Sequence, residues 1–289
     1  MKNLQLKIAV ILSSLLFLNC RPKPIAIDLP QAEKKLVISS QVIPGSIMLV
    51  TLSRSMDTRG FNVNEDSISQ DILNQLLVDS GIVTISYNGI SDTLFIAPGI
   101  PGVFLSVSTP QILNTTYNLY AKDYNTGMEV TSSAYMLPQV SLNNATATID
   151  TNGVFDITTI NYDFTDPQGE DNWYMVNFYA QKDSNSAGGG FDLNENNNVL
   201  KETVILTDKD FSTANYSDSY QLSDWNQDTV VVSISNISKG YYDYLSARLR
   251  SGGLFTSITR EPVNHPTNII GGYGFFTTHK PSIKIVRVN

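Results

Sequence analysis

The stretch Ile82-Val83-Thr84-Ile85-Ser86-Tyr87-Asn88-Gly89, continued by Thr93-Leu94-Phe95-Ile96, decides the fold. Ile82, Thr84 and Ser86 alternate with Val83, Ile85 and Tyr87, so one set faces a core and the other faces away. Asn88-Gly89 then supplies the two left-handed residues that a type I′ turn requires. A period-two run, that dipeptide and a second β-rich run predict an antiparallel hairpin.

Working outward, the same grammar recurs. Upstream, Lys35–Val42 alternates, with Leu36, Ile38 and Val42 as inward positions, Pro44-Gly45 as a turn and Ile47–Ser53 as the next strand. Downstream come Val103–Val107, Tyr117–Asp123 and Met128–Tyr135, the last two joined by Asn125-Thr126-Gly127. Short strands at this spacing predict an antiparallel β-sandwich over 34–137. One segment departs from the pattern. Ser67 with Gln70 spells a capping box, and Ile68, Ile72, Leu73, Leu76 and Leu77 share a helical face that Gly81 ends. Leu76-Leu77-Val78 alternatively opens the following strand.

Pro138 marks a boundary, and 138–289 reads as a second sandwich. Val140–Asp150 turns at Asn152-Gly153. Ile157–Phe164 and Trp173–Gln181 are expected to pair as a hairpin across Asp166-Pro167-Gln168-Gly169. Ser184–Asn198 reads as a polar loop, and Thr203–Thr207, Ser219–Leu222, Thr229–Ser235, Gly274–Thr278 and Ile283–Val288 as strands. Lys239–Arg250 reads as a second helix. Ser238 caps it, Tyr241, Tyr244, Leu245 and Leu249 line one side, Arg248 and Arg250 suit its C-terminal dipole, and Gly252-Gly253 stops it. The expected fold is mostly β: two tandem antiparallel β-sandwich domains with two short inserted helices.

The first residues supply an address. Met1-Lys2-Asn3 and Lys7 precede an apolar run, Ile8–Leu18, and then Asn19-Cys20, where Cys20 is the only cysteine. As a helix that run is about 16 Å long, against a bilayer core of about 30 Å, so it reads as a signal peptide over 1–19 rather than a span. A thiol at the end of such a leader is the acceptor of a bacterial lipoprotein anchor, although Leu18-Asn19 departs from the small residues usual there. Residues 20–33 then read as lipid anchor and proline-rich tether. Several acyl chains on Cys20 hold a protein to a membrane almost permanently.

Composition narrows the function classes. The formal net charge is −8, and removal of Lys2 and Lys7 with the leader makes the body more acidic, which argues against nucleic acid. One cysteine excludes a disulfide framework. Length beyond a usual single core suggests two domains. The only histidines are His265 and His279, and no Gly-x-Ser-x-Gly elbow is present. A triad or a zinc site is therefore not expected. Asp192-Leu193-Asn194-Glu195-Asn196-Asn197 alternates oxygen ligands like a calcium loop. It has Asn197 where the turn glycine belongs and Thr203 where the bidentate glutamate belongs. Asp166, Glu170 and Asp171 read as turn chemistry rather than an acid–base pair. No catalytic residue, metal or cofactor is expected.

Aromatic side chains are the candidates for ligand contact. Trp225 lies in the polar run Ser223–Asp228. Tyr241 and Tyr242 open the second helix, and Tyr273 lies among the glycines of Pro266–Phe276. Large rings beside polar residues suit a binding surface, although core packing between helix and sheet is the commoner reason for them. The glycines are expected to let the backbone pass close to Trp173 or the second helix, or to form a bulge.

Four pieces carry a family resemblance: Ile25–Pro30 with Lys35–Ile38; Leu52-Ser53-Arg54-Ser55; Phe164–Pro167 through Asn172–Tyr174; and Glu261–Asn264 through Asn268–Phe276. Together they resemble a Bacteroidota lipoprotein family catalogued as domain of unknown function 4249. The resemblance implies paired immunoglobulin-like sandwiches, an outer-membrane anchor and proximity to TonB-dependent β-barrel transporters. It implies no catalytic residues. The expected function is a non-catalytic accessory that captures or gates a small ligand for such a transporter. The alternative is a structural or adhesive module that binds glycan or protein.

Overall fold

The computed structural model describes residues 33–43, 47–55, 75–151, 156–181, 198–223, 229–250 and 265–288. Cys20 with its leader and tether, most of the helix expected from Ser67, Asp192–Asn197 and Trp225 lie outside the described residues. Residues Lys34–Asn289 form one compact unit, and the chain is mostly β.

The hairpin that opened the sequence reading is present. Strand β3 (Gly81–Tyr87) pairs antiparallel with β4 (Ile90–Ile96), and Asn88 and Gly89 between them have φ of 46° and 77°. Both positive angles are those of a turn whose twist matches its strands. Around it stand β1 (Leu36–Ile43), β2 (Ile47–Arg54), β5 (Val103–Ser106), β6 (Thr115–Asp123) and β7 (Glu129–Met136). Strand β14 (Tyr273–Phe275) comes from much later in the chain, and the sheet order is β14-β1-β2-β5-β4-β3-β6-β7.

This sheet curls at β4. Ile90–Leu94 of β4 pair with β3, whereas Phe95 and Ile96 pair with β5. The curl wraps one apolar core, with Leu36, Ile38, Val50, Leu52, Val83, Ile85, Phe104, Tyr117, Leu119 and Phe276 all buried. Alternation alone puts them there: every second residue of β1, β3 and β6 is buried. The two edges nearly meet, because Thr131 of β7 and Ile270 exchange backbone hydrogen bonds of 3.3 and 2.8 Å.

The later strands form two further sheets. One has the order β11-β10-β13-β15, built from β11 (Asn198–Thr207), β10 (Trp173–Gln181), β13 (Thr229–Ile237) and β15 (Ser282–Arg287). The other has the order β12-β9-β8, from β12 (Asn215–Ser223), β9 (Ile157–Thr165) and β8 (Leu142–Asp150). They face each other across Ile160, Tyr162, Phe164, Tyr174, Val176, Phe178, Val230, Val232 and Ile234. Aromatic rings dominate this core, with Phe164 and Tyr174 4.9 Å apart and Phe178 and Tyr220 5.0 Å apart, spacings at which ring pairs attract beyond their burial.

The hairpin expected between Ile157–Phe164 and Trp173–Gln181 does not form. Strand β9 pairs with β8 and β12, while β10 pairs with β11 and β13. The turn Asp166–Gly169 thus carries the chain from one sheet to the other. Both runs are apolar on the face that meets this core, and their sequences suit facing sheets as well as adjacent strands.

Helix α1 spans Lys239–Arg250, the range expected. Ser238 caps it: its Oγ accepts from the Tyr241 N–H at 3.3 Å and its carbonyl accepts from Tyr242 at 2.9 Å. Tyr241, Tyr244 and Leu245 pack with Met175, Ile237 and Phe275 on the outer face of β10 and β13. This second layer explains why every residue of β13 is buried. Leu249, expected inward with them, is instead 47 % exposed.

The last segment returns to the first sheet. Strand β14 runs parallel to β1, with Gly274 opposite Ile38. A Cβ on Gly274 would lie 1.8 Å from the Ile38 carbonyl oxygen, and one on Gly272 would lie 2.5 Å from that of Leu36. The close approach for which these glycines exist is therefore to β1, not to Trp173. The C-terminal stretch also leaves Phe276 in the first core.

Candidate functional site

A groove of 260 Å³ lies where β1, the four-stranded sheet and α1 converge. Its lining includes Ser39 and Gln41 of β1, Met175 and Asn177 of β10, Leu200–Thr203 of β11, and Tyr241, Leu245, Arg248 and Leu249 of α1. Ser39 and Gln41 are the half-buried alternates of β1, opposite in phase to Leu36, Ile38 and Ser40. The strand thus presents apolar residues to the first core and polar ones to the groove.

The floor is polar and buried. Asn177 is 6 % exposed, and its Oδ1 accepts from the Thr203 hydroxyl at 2.7 Å. Tyr241 is 5 % exposed and stacks beside Tyr244 with ring centroids 6.1 Å apart. Burial pushes its hydroxyl well above the usual phenol range, Tyr244 adds to this, and the positive charge of Arg248 works against it. Arg248 reaches across from the last turn of α1, and its Nη1 donates to the Ser39 Oγ at 3.4 Å.

A register shift shapes one wall. Phe178 pairs with Glu202 but Tyr179 pairs with Leu200, which leaves Lys201 as the extra residue of a bulge. Glu202 shares the inner face with Phe178 and accepts from the Thr203 N–H at 3.3 Å; the Tyr220 hydroxyl of β12 is raised by burial first and by this carboxylate's charge second. Glu202 nonetheless stays among the lining residues of the groove.

A second hollow of 360 Å³ lies on the outer face of β3, β6 and β7, where Thr84, Ser86, Asn118, Tyr120, Thr131 and Ser133 surround it. Among the described residues no charged side chain lines it.

Of the aromatics read from sequence, Tyr241 lines the groove. Tyr242 packs half-buried beside the α1 cluster, and Tyr273 sits on the edge strand β14 with the Lys35 ammonium 5.3 Å from its ring centroid. Neither Tyr242 nor Tyr273 lines the groove. Arg248, Asn177 and Lys201 were not singled out as groove residues from sequence. From sequence Arg248 reads as a helix-dipole partner, and the bulge that exposes Lys201 has no local spelling.

The acidic turn is structural. Asp166 is buried and accepts hydrogen bonds from the Tyr174 hydroxyl and, at 2.9 Å, from Gln168 Nε2. Asn172 Nδ2 closes the turn on the carbonyls of Pro167 and Glu170, each at 3.1 Å. Asp171 pairs with Lys209 at 3.0 Å on the surface. The carboxylates are thus spread over separate partners rather than aimed at one point.

His279 is fully buried, and its Nε2 lies 3.1 Å from the Val42 carbonyl oxygen. A carbonyl only accepts, so Nε2 carries the proton and Nδ1 is a bare acceptor with no partner among the described residues. Burial pushes the imidazole down to about 4, only partly opposed by the Val42 bond. The unfolded chain takes up this proton below about pH 6.5, whereas the folded chain takes it up only below about 4. Stability therefore falls as pH drops across that window, by about 3 kcal/mol in total. Urea midpoints at neutral pH and near pH 4.5 should show this loss, and His279→Gln, which keeps a donor for Val42, should flatten it. An equal slope in the variant would contradict the assignment.

Three solved structures are distantly similar to the chain. A chain of a cytokine receptor complex matches at 11 % identity, with 68 % of this chain and 89 % of that chain covered and a TM-score of 0.23. CBD12 from CALX1.2 matches at 9 % identity, covering 84 % and 92 %, with a TM-score of 0.20. The B domain of a biofilm associated protein matches at 10 % identity, covering 88 % and 86 %, with a TM-score of 0.19. Scores of this size carry no argument about fold or function. No curated protein matches the chain. The family model for the Domain of unknown function (DUF4249), by contrast, matches residues 22–284, and the chain belongs to that family.

Proposed function

We propose that the protein is a lipid-anchored, non-catalytic accessory of a TonB-dependent outer-membrane transporter, of Bacteroidota type, that captures a small ligand for uptake. In this reading Cys20 carries the lipid and residues 21–33 are the tether. Two immunoglobulin-like sandwiches form the body, joined by the returning β14. The observation that carries the capture role is the groove between β1, β11 and α1, with a buried polar floor of Asn177 and Tyr241 and the apolar side chains Leu245 and Leu249 beside it. A concave site at a junction, mixed apolar with a few convergent polar groups, is where small ligands bind. The volume lies just below the range of about 300–1,000 Å³ usual for drug-sized ligands, so the cargo is small.

The anchor is tested by intact mass of the native protein. A diacylglyceryl thioether on a chain beginning at Cys20 is expected, and Cys20→Ser should release the protein from membranes and lower uptake. A native chain with its leader intact and a free thiol would overturn this reading.

A further inference from the structure

The groove has a sign. The chain as a whole carries a formal net charge of −8. Among the described residues, the charged ones along the groove are Lys201, Glu202 and Arg248. Glu202 lies on the same face of its sheet as Phe178, and its Oε1 accepts from the Thr203 N–H at 3.3 Å. Two cations stand there among the described residues: Arg248, in contact with Ser39, and Lys201, the extra residue of the bulge. Removing Lys201 from the strand would restore regular pairing of β10 and β11, yet the chain keeps the extra residue here, where a bulge re-aims side chains.

The neutral groups around Arg248 complete the pattern. The Ser39 hydroxyl and the Gln41 amide supply donors from β1, and the Thr203 hydroxyl already donates to Asn177. Met175, Leu245 and Leu249 supply apolar surface alongside. A planar guanidinium matches the two oxygens of a carboxylate or phosphate, and away from bulk water such a contact is stronger than at an open surface.

Resting on the capture reading above, we propose that this groove binds the anionic head of a small amphipathic molecule, a carboxylate or a phosphate monoester on a short apolar tail, with Arg248 as the principal contact and Lys201 as an outer one. Arg248 is then a ligand-binding residue and not only a strut between α1 and β1.

The test is calorimetric titration of the full mature protein with four probes of equal tail: hexanoate, hexyl phosphate, hexylamine and hexanol. Binding is expected for hexanoate or hexyl phosphate, whichever head fits, and not for the amine or the alcohol. Arg248→Gln should weaken the bound anion about tenfold or more, the worth of one charge-assisted hydrogen bond. Lys201→Gln should weaken it by less, and it leaves the α1–β1 contact in place should Arg248→Gln fail to fold. Equal binding of all four probes, no binding of either anion, or unchanged affinity in both variants would overturn the proposal. Anion binding by a protein that never associates with a transporter would remove the accessory role and leave this site standing.

Discussion

Gly274→Ala is expected to lower stability by about 3–5 kcal/mol, the sum of backbone strain and overpacking. Two physical causes act together. Gly274 has a φ of 93°, a conformation that side chains disfavour, and its added Cβ would meet the Ile38 carbonyl oxygen at 1.8 Å. That atom is backbone of β1 and cannot swing aside, so β14 must leave the sheet edge. Phe275 and Phe276 follow it, one packed against α1 and the other in the first core. Gly169→Ala is the control. Gly169 has a φ of 101° but nothing within 4 Å of its new Cβ, so it reports the backbone strain alone. A melting temperature about 10 °C lower for Gly274→Ala, with a small shift for Gly169→Ala, is the predicted result. Equal shifts would show that β14 does not lie against β1.

Arg54→Met should cost about as much, roughly 3–5 kcal/mol, because it strands a buried charge. Arg54 Nε donates to Asp123 Oδ2 at 2.6 Å and Nη2 to Oδ1 at 3.0 Å, with the aspartate side chain fully buried and the arginine 11 % exposed. Nη1 also reaches the carbonyls of Gln75 and Leu77, at 3.2 and 3.1 Å. The pair therefore fixes the chain entering β3 to the end of β2. Burial alone would raise the Asp123 carboxyl. The hydrogen bonds from Arg54, Thr126 and the Asn125 N–H outweigh it and hold the group below the usual carboxylate range. This contribution is present above about pH 4, the unfolded value, and is lost as pH falls through the lower folded one. The acid limb from Asp123 thus begins where that of His279 ends. Arg54→Met should remove it, and Arg54→Met with Asp123→Leu should recover much of the loss at neutral pH. A double variant no better than the single one would mean that the pair is not coupled.

The strands were legible because each carries its own signal. Alternation located β1, β3 and β6, Asn88-Gly89 fixed a hairpin register, and Ser238 with the Tyr241–Leu245 spacing located α1. The pairing partners of the later strands were not legible. Ile157–Phe164 and Trp173–Gln181 are close in sequence with a turn between, and nothing local distinguishes two strands of one sheet from strands in facing sheets. The parallel return of β14 to β1 joins residues more than 200 positions apart, so only the glycines hinted at a close approach, without naming its partner. The groove was legible in one residue. Tyr241 reads as an aromatic with a polar tip, but Ser39, Asn177 and Arg248 meet only once three separate elements have packed. The charge of the site rests on where Glu202 turns, which the register of a bulge decides.

The proposed transporter-accessory role is tested most directly by what the protein binds when it is extracted from cells. After mild detergent extraction and purification through a C-terminal tag, it should elute with a large β-barrel protein in constant ratio. Elution as a lone monomer, together with undiminished uptake in a deletion strain, would contradict it.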